Sequence, residues 1–389
     1  MSAYWVWLSR LKGVGPVNQK RLLDTFKSPR RIYRATEAEL RAIPGLRPSI
    51  IKAVIAGQCT KLLEQAEAVA EQAAGKGIRL LPFTDPLYPA AAKAVPAAPV
   101  ILYYRGQLAV NLPGVAIVGS RRCTEYGKMV AAEAATFLAN RGIPLISGMA
   151  KGIDGYGQTA CLRAGGYTLA FLAYGLDQCY PREHASLMER IVAEGATLSA
   201  YPPGVPPKKE FFPARNNLIT AWSHTVLIVE AGKESGALLT AKYALTNGRQ
   251  VLAVPNSIYC PESIGTNRLI SQGITPYLSP EQLLAEEPTA IAATQNKPKP
   301  LQATPNFCLT HNWSVQQENI MRLLYIVPRQ MEELALELKT DLTTLLEDLW
   351  TLELDGFIRL QGSRVMLTEA GLKTGLSPLS NECKKADHS

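Results

Sequence analysis

The sequence predicts an α/β protein built on a doubly wound, mostly parallel sheet, preceded by a helical domain and followed by a winged helix. Three observations carry that expectation. From Val115 onward, short apolar strands alternate with helical stretches. Before residue 75, apolar residues recur at helical spacing and are broken by two Gly/Pro turns. Beyond residue 312 the pattern reads helix, helix, helix and then a short hairpin.

Residues 1–75 are expected to form a helix-hairpin-helix or SAM-like domain. One turn is Gly13-Val14-Gly15-Pro16, followed by a helix from Asn18 to Phe26. The other is Pro44-Gly45-Leu46-Arg47-Pro48, followed by a helix from Ser49 to Ala56. A tight turn that presents backbone N–H groups at a helix start suits a phosphate. Lys12, Gly13, Gly15 and Lys20 are therefore candidate secondary phosphate contacts. Residues 76–112 form a connector with prolines at 82, 86, 89, 96 and 99. It is too apolar for a free linker and should pack on the next domain.

Residues 113–285 should hold the sheet. Strands are expected at Val115–Val118, Ile143–Ser147, Thr168–Leu172, Thr197–Ser199, Thr225–Glu230, Gln250–Val254 and Thr275–Leu278, with helices between them. Continuous apolar strands joined by crossover helices indicate a sheet buried on both faces, hence a Rossmann-like domain. Residues 286–312 turn polar and Pro-rich and read as a linker. Residues 313–370 should form the winged helix, with helices at Val315–Tyr325, Gln330–Leu338 and Asp341–Leu354 and a hairpin at 357–367. Residues 371–389 read as a disordered tail.

The 389 residues are 47% hydrophobic and 19% charged, which is globular composition. The formal charge of +8 is unevenly spread. Residues 1–110 carry +9, residues 111–280 carry +4 and residues 281–389 carry −5. Seven single cysteines without a C-x-x-C pair argue against a disulfide framework or a zinc ribbon. Four scattered histidines give no metal-ligand spacing. No cofactor or metal is expected. With no signal peptide and no long apolar run, the expected location is the cytoplasm, away from membranes.

In a doubly wound sheet, ligands bind beyond the carboxyl ends of the strands. The first strand runs into Gly119-Ser120-Arg121-Arg122. This is neither a Walker A loop nor G-x-G-x-x-G, so a nucleoside triphosphate or dinucleotide is disfavoured. The second strand runs into Gly148-Met149-Ala150-Lys151-Gly152. Phe211-Phe212-Pro213-Ala214-Arg215-Asn216-Asn217 adds an Arg fork beside aromatics, and Ser235–Lys242 opens another helix. One phosphate needs one such loop, whereas several converging on one rim suggest successive phosphates of a nucleic acid. Phe211, Phe212 and Tyr156 are available to stack bases. Cys123, beside two arginines, is a candidate for a lowered thiol pKa. Asp154 could serve as an acid or base, although a carboxylate favouring a helix N-terminus is the commoner explanation. His184 and His224 join no recognised triad.

These loops, in order, resemble the DNA-processing protein A family, also called Smf. The resemblance rests on VAIVGSRRCTEYG (115–127), LISGMAKGID (145–154), YGLDQCYP (174–181), FFPARNN (211–217), LIVEAGKESGALLTA (227–241), GRQVLAVP (248–255) and SIGTNRLISQGI (263–274). It implies a protein that binds single-stranded DNA, forms a homodimer through the Rossmann-like domain, and loads the recombinase RecA during natural transformation. It implies no enzyme activity. The nucleic-acid contacts expected are Gly119, Ser120, Arg121, Arg122, Lys151, Phe211, Arg215, Asn216, Thr240 and Lys242.

Some positions depart from the family pattern. Lys151 stands where Arg is usual, no His follows Asp154, and Ala200 stands for Glu. Asn217 replaces a cation, and Asn256 replaces Gly. The alternative function is a nucleotide or phosphoribosyl-processing enzyme, an analogy of fold alone; its P-G-G-x-G-T loop is absent. DNA binding by the winged helix is disfavoured by the acidic balance of residues 281–389, and that domain is expected to contact protein instead.

Overall fold

The computed structural model describes residues 2–109, 114–284, 313–355, 357–361, 363–372 and 374. The expected linker and most of the expected tail lie outside these residues. The chain divides into two units, Met1–Ala290 and Ile291–Ser389.

The first unit begins with six helices: α1 (Ser2–Arg10), α2 (Pro16–Phe26), α3 (Pro29–Arg34), α4 (Glu37–Arg41), α5 (Pro48–Gly57) and α6 (Thr60–Gly75). Their starts follow local chemistry. Proline occupies the first turn of α2, α3 and α5, where its missing N–H is no loss. Thr36 and Glu39 form a capping box on α4. The apolar faces of these helices bury Trp7, Leu8, Leu22, Ile32, Leu40 and Val54 together. Trp7 Nε1 donates to the Gly57 carbonyl at 2.7 Å, and Gln19 Nε2 donates to the carbonyls of Leu8 and Val14. Two buried polar side chains thus close the bundle and hold its first turn.

The connector is more than a packing segment. It contributes β1 (Arg79–Pro82), the short helix α7 (Ala90–Lys93) and β2 (Ile101–Gly106). Its prolines interrupt the apolar alternation, which is why the sequence did not suggest strands there. Val100 and Ile101 also pack into the core of the helical head, so head and sheet share apolar contacts.

From Gly114 the chain alternates: β3 (Gly114–Val118), α8 (Glu125–Asn140), β4 (Leu145–Ser147), α9 (Ile153–Arg163), β5 (Thr168–Leu172), α10 (Ala185–Glu194), β6 (Ala196–Ser199), α11 (Phe211–Ala221), β7 (Ser223–Ile228), α12 (Gly236–Thr246), β8 (Gln250–Ala253), α13 (Ile264–Ser271) and β9 (Thr275–Pro276). The nine strands lie in the order β1-β2-β6-β5-β4-β3-β7-β8-β9. Strands β3 to β9 run parallel, while β1 and β2 join antiparallel at the β6 edge. The winding turns back between β3 and β7, and that is where a crevice opens.

Both faces of the sheet are covered. Val115 and Ile117 of β3 pack with Ala131, Ala134, Ala135 and Leu138 of α8. Ala116 and Val118 pack with Leu218 and Ile219 of α11 and Ala241 of α12. The two-residue period of a strand therefore faces helices on each side, which explains its uninterrupted apolar character.

The second unit, in its described part, holds α14 (Val315–Ile326), β10 (Arg329–Gln330), α15 (Met331–Leu338), α16 (Leu342–Leu354), β11 (Ile358–Gln361), β12 (Arg364–Leu367) and α17 (Glu369–Leu372). Its strands form a three-stranded antiparallel sheet in the order β10-β12-β11. Ile320, Leu324, Leu334, Leu345, Leu349 and Val365 make its core.

Candidate nucleic-acid interface

A cleft of about 870 Å³ opens at the carboxyl ends of the central strands. One wall is the loop after β3, Gly119 to Arg122. The start of α11 and the loop from Gly232 through the first turn of α12 form the other. Five cations line it (Arg121, Arg122, Lys209, Arg215 and Lys233) against three carboxylates (Asp154, Glu234 and Glu262).

The β3 loop is held from beneath. Glu230, fully buried just past β7, accepts from the Thr124 backbone N–H at 3.0 Å and from the Thr124 hydroxyl. Thr124 in turn caps α8 by accepting from the Gly127 N–H. Gly127 must lack a side chain, because a Cβ there would lie 2.4 Å from the Glu230 carboxyl carbon. At the loop's tip, Ser120 Oγ donates to the Arg122 carbonyl and accepts from its N–H. Gly152, at φ +78°, brings the β4 loop against Ser120 and leaves no room for a Cβ.

The aromatic beside these cations is Phe212. Its ring has the Arg121 guanidinium 5.2 Å from its centroid and that of Arg215 at 5.5 Å. Phe212 lines the main cleft and also a smaller adjoining hollow with Tyr174, Tyr180 and Lys151. Cationic groups beside a half-buried aromatic ring are the kinds of group that bind unstacked bases on a phosphate backbone.

Of the expected contacts, Gly119, Ser120, Arg121, Arg122, Arg215, Asn216 and Thr240 line this cleft. Several play a different part from the one expected. Arg215 is only 5% exposed. Its Nη1 donates to the carbonyls of Gly148 at 2.6 Å and Phe171 at 3.2 Å. It is thus a strut under the cleft and not a free fork. Thr240 is buried and donates to Gly236 within its own helix. Asn216 Nδ2 reaches the Gly236 carbonyl at 3.5 Å, linking the starts of α11 and α12.

Phe211 does not line the cleft; it stacks on Tyr201 with ring centroids 4.1 Å apart. Successive helical residues point about 100° apart, so only one of the two phenylalanines faces the cleft. Lys242 is exposed but also lies outside the cleft lining. It is two residues beyond Thr240, which puts it on another side of α12. Lys151 faces the adjoining hollow and is ion-paired with Glu183. Tyr156 is exposed outside the cleft and lies under the Lys128 ammonium.

Among the secondary contacts, Lys12, Gly13 and Gly15 are exposed at the first turn, and Gly13 sits at φ +78°. Lys20 is not available there. Its ammonium donates to the Val95 carbonyl at 2.7 Å, and burial lowers its pKa. It ties the head to the connector.

The candidates for chemistry are also reassigned. Burial and the neighbouring Glu230 raise the Cys123 thiol, the opposite of the expected direction. Asp154 is buried, and burial pushes its carboxyl up against the opposing pull of Arg215 and of the N–H groups of Ala150 and Gly148. Its Oδ2 accepts from the Gly148 N–H at 3.2 Å. Asp177 is bonded to Lys76 and to the Gly204 N–H, joining the end of α6 to the loop after β5. His184 Nδ1 lies 3.1 Å from the Met149 carbonyl. Asn217, where a cation was missing, is taken up by Asn247 between α11 and α12. Among the described residues no group of three or more His, Cys, Asp or Glu could hold a metal ion, and no helix is long and apolar enough to cross a membrane.

Sequence reasoning overlooked Lys209, Lys233 and Glu230. The first two stand in loops that follow or precede strands and so were visible by position. Glu230 was read as the last residue of a strand, with no signal of its role.

A family model for DNA recombination-mediator protein A matches residues 79–288. Protein Smf of Synechocystis is 39% identical over 288 residues, 73% of this chain and 72% of that one. DNA processing protein DprA of Bacillus subtilis is 35% identical over 215 residues, 55% of this chain and 72% of that one. The X-ray structure of DNA processing protein A from Streptococcus pneumoniae superposes with a TM-score of 0.61 at 30% identity, covering 74% of this chain and 98% of that chain. The matched span starts at β1, so the antiparallel edge strands belong to the shared fold. The sheet order, the loops at its carboxyl ends and these matches agree: this chain belongs to the DNA recombination-mediator protein A family.

Proposed function

We propose that the cleft binds single-stranded DNA, and that the protein acts as a recombination mediator which delivers the bound strand to the recombinase RecA during natural transformation. The observation that carries the DNA reading is the placement of Phe212 beside two guanidinium groups in a cleft with three further cations. Stacking on such a ring tolerates any base, and cations beside it follow the backbone. No observation favours the phosphoribosyl-processing alternative, since the buried carboxylate of the cleft, Asp154, is engaged with a backbone amide.

RecA delivery, a homodimer formed through the sheet domain, and action in the cytoplasm are part of this proposal and rest on the family membership. The described residues of the second unit are read as a winged helix that meets protein and not DNA. Its acidic composition supports this.

Fluorescence anisotropy with a labelled oligothymidylate tests the cleft. Changing Arg121 or Lys209 to Glu should weaken binding by about tenfold or more and flatten its salt dependence. Lys242→Glu should weaken it far less. If both cleft variants bind normally, the strand lies elsewhere.

A further inference from the structure

The smaller hollow beside the cleft is not accounted for by a strand that runs past Phe212. It has a volume of about 50 Å³ and shares Arg121, Ala150, Phe212 and Arg215 with the cleft. Half of its lining is buried: Gly148, Ala173, Tyr174, Pro181 and Arg215. Arg121, Lys151 and Tyr180 are its exposed members. The Tyr174 hydroxyl fixes one side, donating to the Tyr180 carbonyl at 2.8 Å and accepting from the Tyr180 N–H at 3.0 Å.

One donor in this lining has no acceptor. Arg215 spends Nη1 on the carbonyls of Gly148 and Phe171, and those bonds fix its guanidinium. The Nε–H of the same group is buried and has no partner among the described residues. A buried donor of a charged group left unmet is costly in a folded protein, and a ligand oxygen would satisfy it. The strut thus leaves one charged donor unspent.

Charge and size together select the ligand. Arg121, Lys151 and Arg215 line the hollow, and no carboxylate does among the described residues. Two carboxylates reach this lining from outside: Asp154 accepts from the Gly148 N–H, and Glu183 pairs with Lys151. One positive charge remains in excess, which favours an anion. The volume has room for about three to five water-sized groups. That suits the oxygens of one phosphate and is too small for a base or a sugar. A phosphate inside a strand carries a sugar on each side. A terminal phosphate carries one, which can stay in the cleft. A phosphomonoester also holds a charge of about −1.5 to −2 at neutral pH, more than the single charge of a phosphodiester.

We propose that the hollow is a phosphomonoester site, which captures the terminal phosphate of the strand lying in the cleft. The inference rests on the reading of the cleft as a single-strand site. It gives the protein a preference for strand ends that carry phosphate, which a surface following only the backbone lacks.

The test uses the full chain and oligothymidylate of one length in three forms: hydroxyl at both ends, phosphate at the 5′ end, and phosphate at the 3′ end. Anisotropy measures the affinity of each. One phosphorylated form should bind about tenfold more tightly than the hydroxyl form. The quantity compared is this ratio within each variant, so a folding defect that weakens all three forms alike does not move it. Lys151→Gln should bring the ratio close to one. Glu183→Gln, which releases the Lys151 ammonium, should raise it. Inorganic phosphate, added at the concentration of the strand, should leave the ratio intact. Hydroxyl and phosphorylated forms that bind the parent protein alike overturn the proposal and leave the cleft reading standing. So does a ratio that ignores both substitutions. Inorganic phosphate that abolishes the advantage at micromolar concentration overturns it in favour of a site for free phosphate. Failure of all three forms to bind refutes the cleft reading, and this proposal with it.

Discussion

Arg215 separates two accounts of the cleft. As a phosphate ligand, its loss would cost affinity and little stability. As a strut, its loss would cost stability first. The geometry supports the second account. The guanidinium makes bonds of 2.6 and 3.2 Å to two carbonyls, one at the end of β5 and one in the loop after β4. A Cβ on Gly148 would lie 1.4 Å from Nη1 and 2.9 Å from Asp154 Oδ2, so the Arg and Asp flank that glycine closely. Replacing Arg215 with Met keeps the bulk but removes both bonds and leaves Asp154 buried without its cation. Breaking one side of a buried charge arrangement costs about 3–5 kcal/mol. In a unit of this size that corresponds to a melting temperature roughly 5–8 °C lower. Adding Asp154→Asn should restore part of the loss, because the uncompensated carboxylate is then gone. Differential scanning calorimetry on the four proteins of this cycle measures the coupling directly. A single Arg215→Met protein that melts with the parent yet binds oligothymidylate tenfold more weakly would refute the strut assignment.

Two further outcomes follow from the same geometry. Phe212→Ala should weaken oligothymidylate binding by about 1–3 kcal/mol, the range for one stacked base, whereas Phe211→Ala should disturb its packing on Tyr201 and leave affinity nearly intact; titrations of both compare the two rings. Asp177→Asn should cost about 1–2 kcal/mol near neutral pH through the lost charge-assisted bonds to Lys76 and Gly204. Although burial pushes the Asp177 carboxyl up, the Lys76 ammonium and the Gly204 N–H hold it below its ordinary value of 3.8. Its contribution is therefore complete above that ordinary value and disappears as pH falls through the lower folded value, so urea melts of parent and variant should converge in strong acid.

Much of the architecture was legible in the chain itself. Val115–Val118 is an uninterrupted apolar run and Thr168–Leu172 is apolar after its first residue, as a sheet covered on both faces requires, and the structure places each strand within a residue of its expected span. Ser235-Gly236 was read as a helix start, and Ser235 does cap α12. The strands of the connector were not legible. Leu81 and Leu102 face a core, but Pro82 and Pro99 disrupt the alternation around them, and pairing with β6 is a long-range event that no local pattern records.

The sequence by itself determined which loops lie at the carboxyl ends of the strands, because a parallel sheet places its strand ends on one rim and the glycines and cations there are read in order. It also located the charge excess in the head. Only the tertiary structure decided which cations remain free. Lys20 and Arg215 look no different in sequence from Lys12 and Arg121, yet the first two are consumed by the carbonyls of Val95 and of Gly148 and Phe171. The same holds for the two phenylalanines, which are neighbours in the chain and face different surroundings. A side chain's availability depends on what folds against it, and for Lys20 and Arg215 those partners lie 44 to 75 residues away.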